Sequence, residues 1–140
     1  MNGRAFIDSN VLVYFVDRDE PEKRATARGL LEEGAPQLAL SAQVLSEFYY
    51  VSTRRLSRPV PEPIAARLVD RFARLGTVAI DADLVRAGIE ISRESQLAYW
   101  DGLIVAAAKA AGCERLLTED LSDGSVLGGV RIENPFRGRP

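Results

Sequence analysis

The chain has 140 residues, 46% of them hydrophobic and 27% charged, the make-up of an ordinary folded domain and not of a fibrous, low-complexity or disordered chain. Its net charge of −2 conceals a cation set of 16 Arg and 2 Lys (Lys23 and Lys109). Arg suits bidentate phosphate contacts, but GC-rich coding gives the same bias, so charge alone decides nothing about nucleic acid. With no histidine and one cysteine, Cys113, the sequence excludes imidazole bases, His–metal sites, Cys-cluster zinc sites and internal disulfides.

Residues 4–8 read as a short buried strand and the apolar residues 11–16 as a helix. Pro21 opens a charged amphipathic helix with Ala27, Leu30 and Leu31 inward, closed by Gly34. Leu38–Leu40 is a second strand, and Ser41 is the N-cap of a long helix reaching about Leu56. After Pro59, Pro61 and Pro63 another helix runs to Gly76, with Ile64, Leu68, Val69 and Phe72 inward. Thr77–Ile80 is a third strand, and Asp81 or Ala82 starts a helix to about Gln96. Trp100–Ala111 is helical and stops at Gly112. Arg115–Thr118 is a fourth strand and Val130–Ile132 a fifth. Strands alternating with helices predict one α/β domain over residues 1–140, a three-layer α/β/α sandwich around a mainly parallel sheet of four to five strands. In such folds ligands gather at the carboxyl ends of the strands. No apolar run exceeds Leu103–Ala108, too short to span a bilayer. Met1–Arg4 leads straight into the first strand without a signal-peptide core. A cytoplasmic location is expected.

Four acids stand in unusual places. Asp8 ends the first strand and precedes a helix, where it is either a cap or a strand-end ligand. Glu47 shares a helix face with Val44 and Val51, so it is either paired with an arginine or turned toward a cation in a cleft. Asp101 precedes Ile104, Val105 and Ala108 by three, four and seven residues, which puts it on a buried face. Its place in the first turn also lets it simply answer the helix dipole. Asp120 follows the fourth strand, where side chains enter the ligand crevice, whereas Asp123-Gly124 reads as a turn. Four crowded carboxylates repel unless a cation intervenes. An all-oxygen set suits Mg²⁺ or Mn²⁺, which would activate a water against a phosphodiester. Glu47 or Asp120 would accept its proton.

The segments carrying these acids resemble the motifs of PIN-domain ribonucleases, specifically the VapC toxins of bacterial toxin–antitoxin pairs. The similar segments are Phe6-Ile7-Asp8-Ser9-Asn10-Val11-Leu12-Val13-Tyr14, Ser46-Glu47-Phe48-Tyr49, Tyr99-Trp100-Asp101-Gly102-Leu103-Ile104, and Leu117-Thr118-Glu119-Asp120-Leu121 with the closing Gly129–Phe136. The resemblance runs through the whole chain. It implies a metal-dependent endoribonuclease in which Asp8 and Asp101 are the principal Mg²⁺ (or Mn²⁺) ligands and Glu47 and Asp120 complete a four-carboxylate catalytic pocket. Ser9, Asn10 and Thr118 would be supporting hydrogen-bond donors and Asp123 an extra acid. It also implies an RNA substrate, a cognate VapB-type antitoxin that blocks the pocket, and a homodimer. Gly102 departs from the family's expected Ala, which should loosen the first turn of that helix.

Other features have plainer readings. Tyr49, Arg54, Arg55 and Arg58, with Tyr50, form a basic–aromatic cluster that would touch RNA or antitoxin, or else a solvated helix face with core tyrosines. Trp100 is expected to anchor the core, with stacking on a base as the other reading. Asp17, Asp19 and Glu20 read as a charged loop, Asp81 and Asp83 as helix-start residues, and Cys113 as a buried hydrophobe. Two rivals remain: a phosphatase or receiver-like α/β protein built on Asp8, disfavoured because neither lysine lies in a strand, and a catalytically silent PIN-like module that binds RNA or protein.

Overall fold

A computed structural model describes residues 3–137. The elements in order are β1 (Ala5–Ile7), α1 (Ser9–Val16), α2 (Pro21–Gly34), a 3-10 turn, β2 (Leu38–Ser41), α3 (Ala42–Arg54), α4 (Glu62–Ala73), β3 (Thr77–Val78), α5 (Ala82–Ser95), α6 (Tyr99–Ala110), β4 (Arg115–Leu117), β5 (Val126–Leu127) and β6 (Val130–Glu133). The sheet order is β3-β2-β1-β4-β6-β5, parallel throughout except for the β5–β6 pair. Strands β1 and β4 run side by side with Ile7 opposite Leu117.

The layers follow from that order. The chain steps from β1 to β2 to β3 in one direction and returns across the sheet to β4. Right-handed crossovers therefore place α1–α4 on one face and α5–α6 on the other. Helix α1 packs on α2 and α3, α3 on α4, and α5 on α6. Between the layers the central strands are mainly apolar, and Phe6, Ile7, Leu40, Leu116 and Ile132 are fully buried. Such short strands are apolar at nearly every position because both sheet faces are covered. The direction of travel reverses between β1 and β4, which opens a crevice at their carboxyl ends.

Local chemistry sets the starts of these elements. The Ser41 hydroxyl accepts from Val44 N at 3.3 Å and the Asp81 carboxylate from Leu84 N at 2.9 Å, so both act as N-caps. Asp8 lies outside β1 and caps α1, which begins at Ser9 and not at residue 11. Four further expectations need correction. The sheet has six strands among the described residues: β5 was missed because a two-residue strand carries no periodicity. The signal lay instead in Gly128-Gly129, both at positive φ, the conformation of a two-residue hairpin turn. Ile64, in the first turn of α4, is 43% exposed, while Ala65, Leu68, Val69 and Phe72 turn inward. Strand β3 ends at Val78 and not at Ile80, which is exposed. Helices α3 and α4 end at Arg54 and Ala73, two or three residues short of the expected ends.

Gly102 plays a different part from the one expected. A Cβ at this position would stand 2.6 Å from the Gly88 carbonyl oxygen and 2.8 Å from Ser92 Cβ. Its hydrogen is what lets α6 lie against α5. At Gly88 a Cβ would come within 3.0 Å of Leu103 Cα, so the two glycines form one close helix crossing.

Candidate active site

The crevice beyond β1 and β4 is built on a hydrogen-bonded core. Asp8 is 6% exposed and Thr118 fully buried. Asp8 Oδ1 accepts from Ser9 N at 2.7 Å and Oδ2 from the Thr118 hydroxyl at 2.8 Å. Thr118 Oγ1 in turn accepts from Asn10 Nδ2 at 3.0 Å and from Asp120 N at 3.1 Å. Asn10 Nδ2 also donates to Asp120 Oδ2 at 3.1 Å. One hydroxyl and one amide thus bind the strand-end carboxylate of β1 to the carboxylate that follows β4. Asp8 is at once a helix cap and a member of this set.

Glu47 and Asp101 enter from the helices. Gln43, buried one turn before Glu47 on the same face of α3, donates to Glu47 Oε2 at 3.5 Å and to the Trp100 carbonyl at 3.3 Å. It thereby links α3 to the start of α6, the residue next to Asp101. The expectation left open an arginine partner for Glu47. Among the described residues none of the four acids is in a salt bridge.

Asp8 and Asp101 both feel the negative charge of their neighbours. Burial pushes the Asp8 carboxyl up to about 6, and the charges of Glu47 and Asp120 add to it against the hydrogen bonds from Thr118 and Ser9. Asp101 is raised by burial and by the charge of Asp120. A buried carboxyl raised by both burial and like charge is the environment that a cation reverses.

Among the described residues, no group of three His, Cys, Asp or Glu side chains is positioned to hold a metal ion by itself. Mg²⁺ does not require such a cage, since it usually keeps several waters and takes one or two protein carboxylates. The donors present fit that mode. All are hard oxygens, Asp8 is destabilised as an anion, and Asn10 Oδ1 beside it is buried without a hydrogen-bond partner.

The remaining candidates divide. Ser9, Asn10 and Thr118 lie within the network. Asp123 is engaged elsewhere: Oδ1 accepts from Asn134 N at 2.9 Å and Oδ2 pairs with Arg137 at 2.9 Å, which ties down the segment after β6. Arg58 is held by Asp19 at 2.7 Å, with Ser57 on the same carboxylate. Arg54 reaches Glu62 at 3.6 Å, and the Arg55 guanidinium lies 5.5 Å from the centre of the Tyr50 ring. Trp100 is 63% exposed and so is not the core anchor expected, and Tyr49 and Tyr50, 36% and 53% exposed, do not follow the core alternative left open for them. The sequence pattern could not separate these aromatics from core residues because helical spacing serves both.

Two contributors escaped the sequence reading. Gln43 was legible only as the residue four before Glu47. The second is a cluster beneath Asp120. Tyr14 donates to Glu119 Oε1, and Lys23 Nζ reaches Tyr14 Oη at 3.2 Å and Glu119 Oε2 at 3.1 Å. This clamps the loop after β4 to α1 and α2 and so fixes Asp120 from its preceding residue. A cavity of about 500 Å³ lies apart from the acids, lined by Leu84, Ile91, Ala106 and Lys109 among others.

Known proteins place this arrangement in a family. The PIN domain family profile matches residues 5–122. No curated protein sequence matches at a significant level. A toxin–antitoxin complex from Klebsiella pneumoniae is similar in fold, with a TM-score of 0.67 and 21% identity over 94% of this chain and 98% of that one. DNA-bound VapBC from Salmonella typhimurium aligns with a TM-score of 0.67 and 17% identity, covering 95% and 98% of the two chains. VapC20 of Mycobacterium tuberculosis, a sarcin–ricin-loop cleaving toxin, gives a TM-score of 0.64 and 20% identity over 91% and 98%. The family match covers most of the chain and contains all four acids, and the chain belongs to the PIN domain family.

Proposed function

We propose that this PIN domain is a metal-dependent endoribonuclease of the VapC type, the toxin of a toxin–antitoxin pair, restrained by a cognate VapB-type antitoxin. The observation that carries the reading is the convergence of Asp8, Glu47, Asp101 and Asp120 at the β1–β4 crevice with no salt-bridging side-chain cation among the described residues. The similar folds found in toxin–antitoxin complexes support the same reading. A homodimer in the cytoplasm is part of the proposal.

Asp8 and Asp101 would hold Mg²⁺ or Mn²⁺, with Glu47 and Asp120 completing the pocket. Once bound, such an ion supplies Lewis-acid polarisation of the phosphodiester and activation of water. Thr118 and Ser9 fix the Asp8 carboxylate in one orientation, and Asn10 fixes Asp120. Glu47 and Asp120, both more open to solvent than Asp8, are the groups placed to accept a proton from the attacking water. Arg54 is shared with Glu62, whereas Arg55, exposed just past the end of α3, is available to phosphates. Arg58 is not, because Asp19 already occupies it.

The test is incubation of the purified, antitoxin-free protein with total cellular RNA in Mg²⁺ or Mn²⁺, with EDTA and a folded Asp101→Asn variant as controls. Discrete fragments that disappear in both controls are expected. No cleavage across a panel of structured RNAs would overturn the nuclease reading in favour of a binding module.

A further inference from the structure

The largest exposed apolar side chain of the molecule stands beside one of the four acids. Trp100 is 63% exposed although it lies in the first turn of α6, a helix buried from Gly102 to Ala108. It directly precedes Asp101. Its backbone carbonyl is held by Gln43, the residue that also contacts Glu47, so its position is tied to two acids at once. Tyr99 meets its indole edge-on, with ring centres 5.0 Å apart, and braces one side of the ring.

On α3 the sequence continues this surface. Gln43, Glu47, Tyr50 and Arg54 follow at spacings of four, three and four, which is one helix face. Along that face exposure increases from buried Gln43 to exposed Tyr50 and Arg54. The aromatic at the outer end has a guanidinium over its ring. An acidic centre flanked by open aromatics and, farther out, by arginines matches what an unpaired nucleic-acid strand requires. The phosphate goes to the cation site, bases stack on aromatic rings, and the neighbouring backbone meets guanidinium groups.

Resting on the ribonuclease reading above, we propose that Trp100 is a stacking platform for an unpaired nucleobase flanking the scissile phosphate. It is a positioning residue, selecting RNA that can splay a base out of a loop or single strand. Trp100 takes no proton and holds no metal. Its contribution is to set where the chain lies over the carboxylates.

The protein has one tryptophan, so its emission reports this side chain alone. The unlabelled protein would be titrated with a stem–loop RNA in Ca²⁺, with binding followed independently by the anisotropy of the same RNA carrying fluorescein. Tryptophan quenching should track the anisotropy isotherm. Trp100→Ala should weaken binding about tenfold, and Trp100→Phe should restore most of it. Because the side chain is exposed, both variants should keep the thermal transition of the parent protein. In cleavage assays the loss should fall mainly on KM, with kcat changed far less.

Binding without any change in emission, or equal affinity of Trp100→Ala and the parent, would overturn the proposal while leaving the ribonuclease reading intact. Emission that instead shifts with protein concentration as the mass doubles would also overturn it, assigning Trp100 to contact between copies. Absence of RNA binding by anisotropy would remove the ribonuclease reading and this inference together.

Discussion

The Thr118 hydroxyl donates to Asp8 Oδ2 across 2.8 Å while accepting from Asn10 Nδ2 at 3.0 Å. The direction of the first bond matters. A hydroxyl that gives its proton to a carboxylate stabilises the ionised form, which burial opposes. Thr118→Val removes that donor and the acceptor used by Asn10 Nδ2 and Asp120 N, while nearly conserving volume. We predict a stability loss of about 1–3 kcal/mol in denaturant unfolding and a loss of ribonuclease activity of tenfold or more. Thr118→Ser should retain most of both.

Asp8 makes the metal-free fold sensitive to pH. Its carboxyl ionises at about 6 when folded against 3.8 for the free group, so the folded state holds this proton more tightly than the unfolded chain. Its stabilising contribution is complete below pH 3.8 and is lost as pH rises through 6. The difference amounts to about 3 kcal/mol. In EDTA, Asp8→Asn should therefore be more stable than the parent protein at pH 7, and the gap should close toward pH 4. Thermal melts of both proteins across that range would check it, and a gap independent of pH would contradict it.

Gly102→Ala tests the helix crossing. Helix propensity alone favours Ala by about 1 kcal/mol. The added Cβ would meet the Gly88 carbonyl at 2.6 Å, and overpacking of this kind costs about 1–3 kcal/mol. The collision should win, lowering Tm by roughly 3–5 °C. It should also displace Asp101, which precedes it, so that cleavage falls more than stability does. A rise in Tm would restore the looser-turn reading.

Tyr14→Phe removes the hydroxyl shared by Glu119 and Lys23. The ring contact with Phe136, 4.8 Å between centres, would survive. A loss of about 1 kcal/mol is expected, with a several-fold drop in cleavage because Asp120 follows Glu119. Unaltered activity would show that the loop after β4 is held without this cluster.

Much of this molecule was legible before its structure. Asp8, Glu47, Asp101 and Asp120 could be singled out because a carboxylate at a strand end, or on an apolar helix face, conflicts with the ordinary rules of burial. The structure brings all four to one crevice. Ser41 and Asp81 announced their helices through capping chemistry, which is local and so readable. What escaped was relational. Nothing along the chain says that Thr118 faces Asp8, because those residues meet only through the pairing of β1 with β4. The exposure of Trp100 and the tight packing at Gly102 depend on how α6 lies over α5, which helical periodicity cannot specify. The hairpin strand at Val126 is too short to have a pattern at all.

The most direct test of the central claim, that the acid-lined crevice is a cation site, is calorimetric titration of the metal-free protein with Mn²⁺ at pH 7. Saturable binding is predicted for the parent protein, abolished by Asp8→Asn and strongly weakened by Asp101→Asn, with both variants folded. Equal binding by Asp8→Asn and the parent, or no binding by the parent protein, would contradict the account.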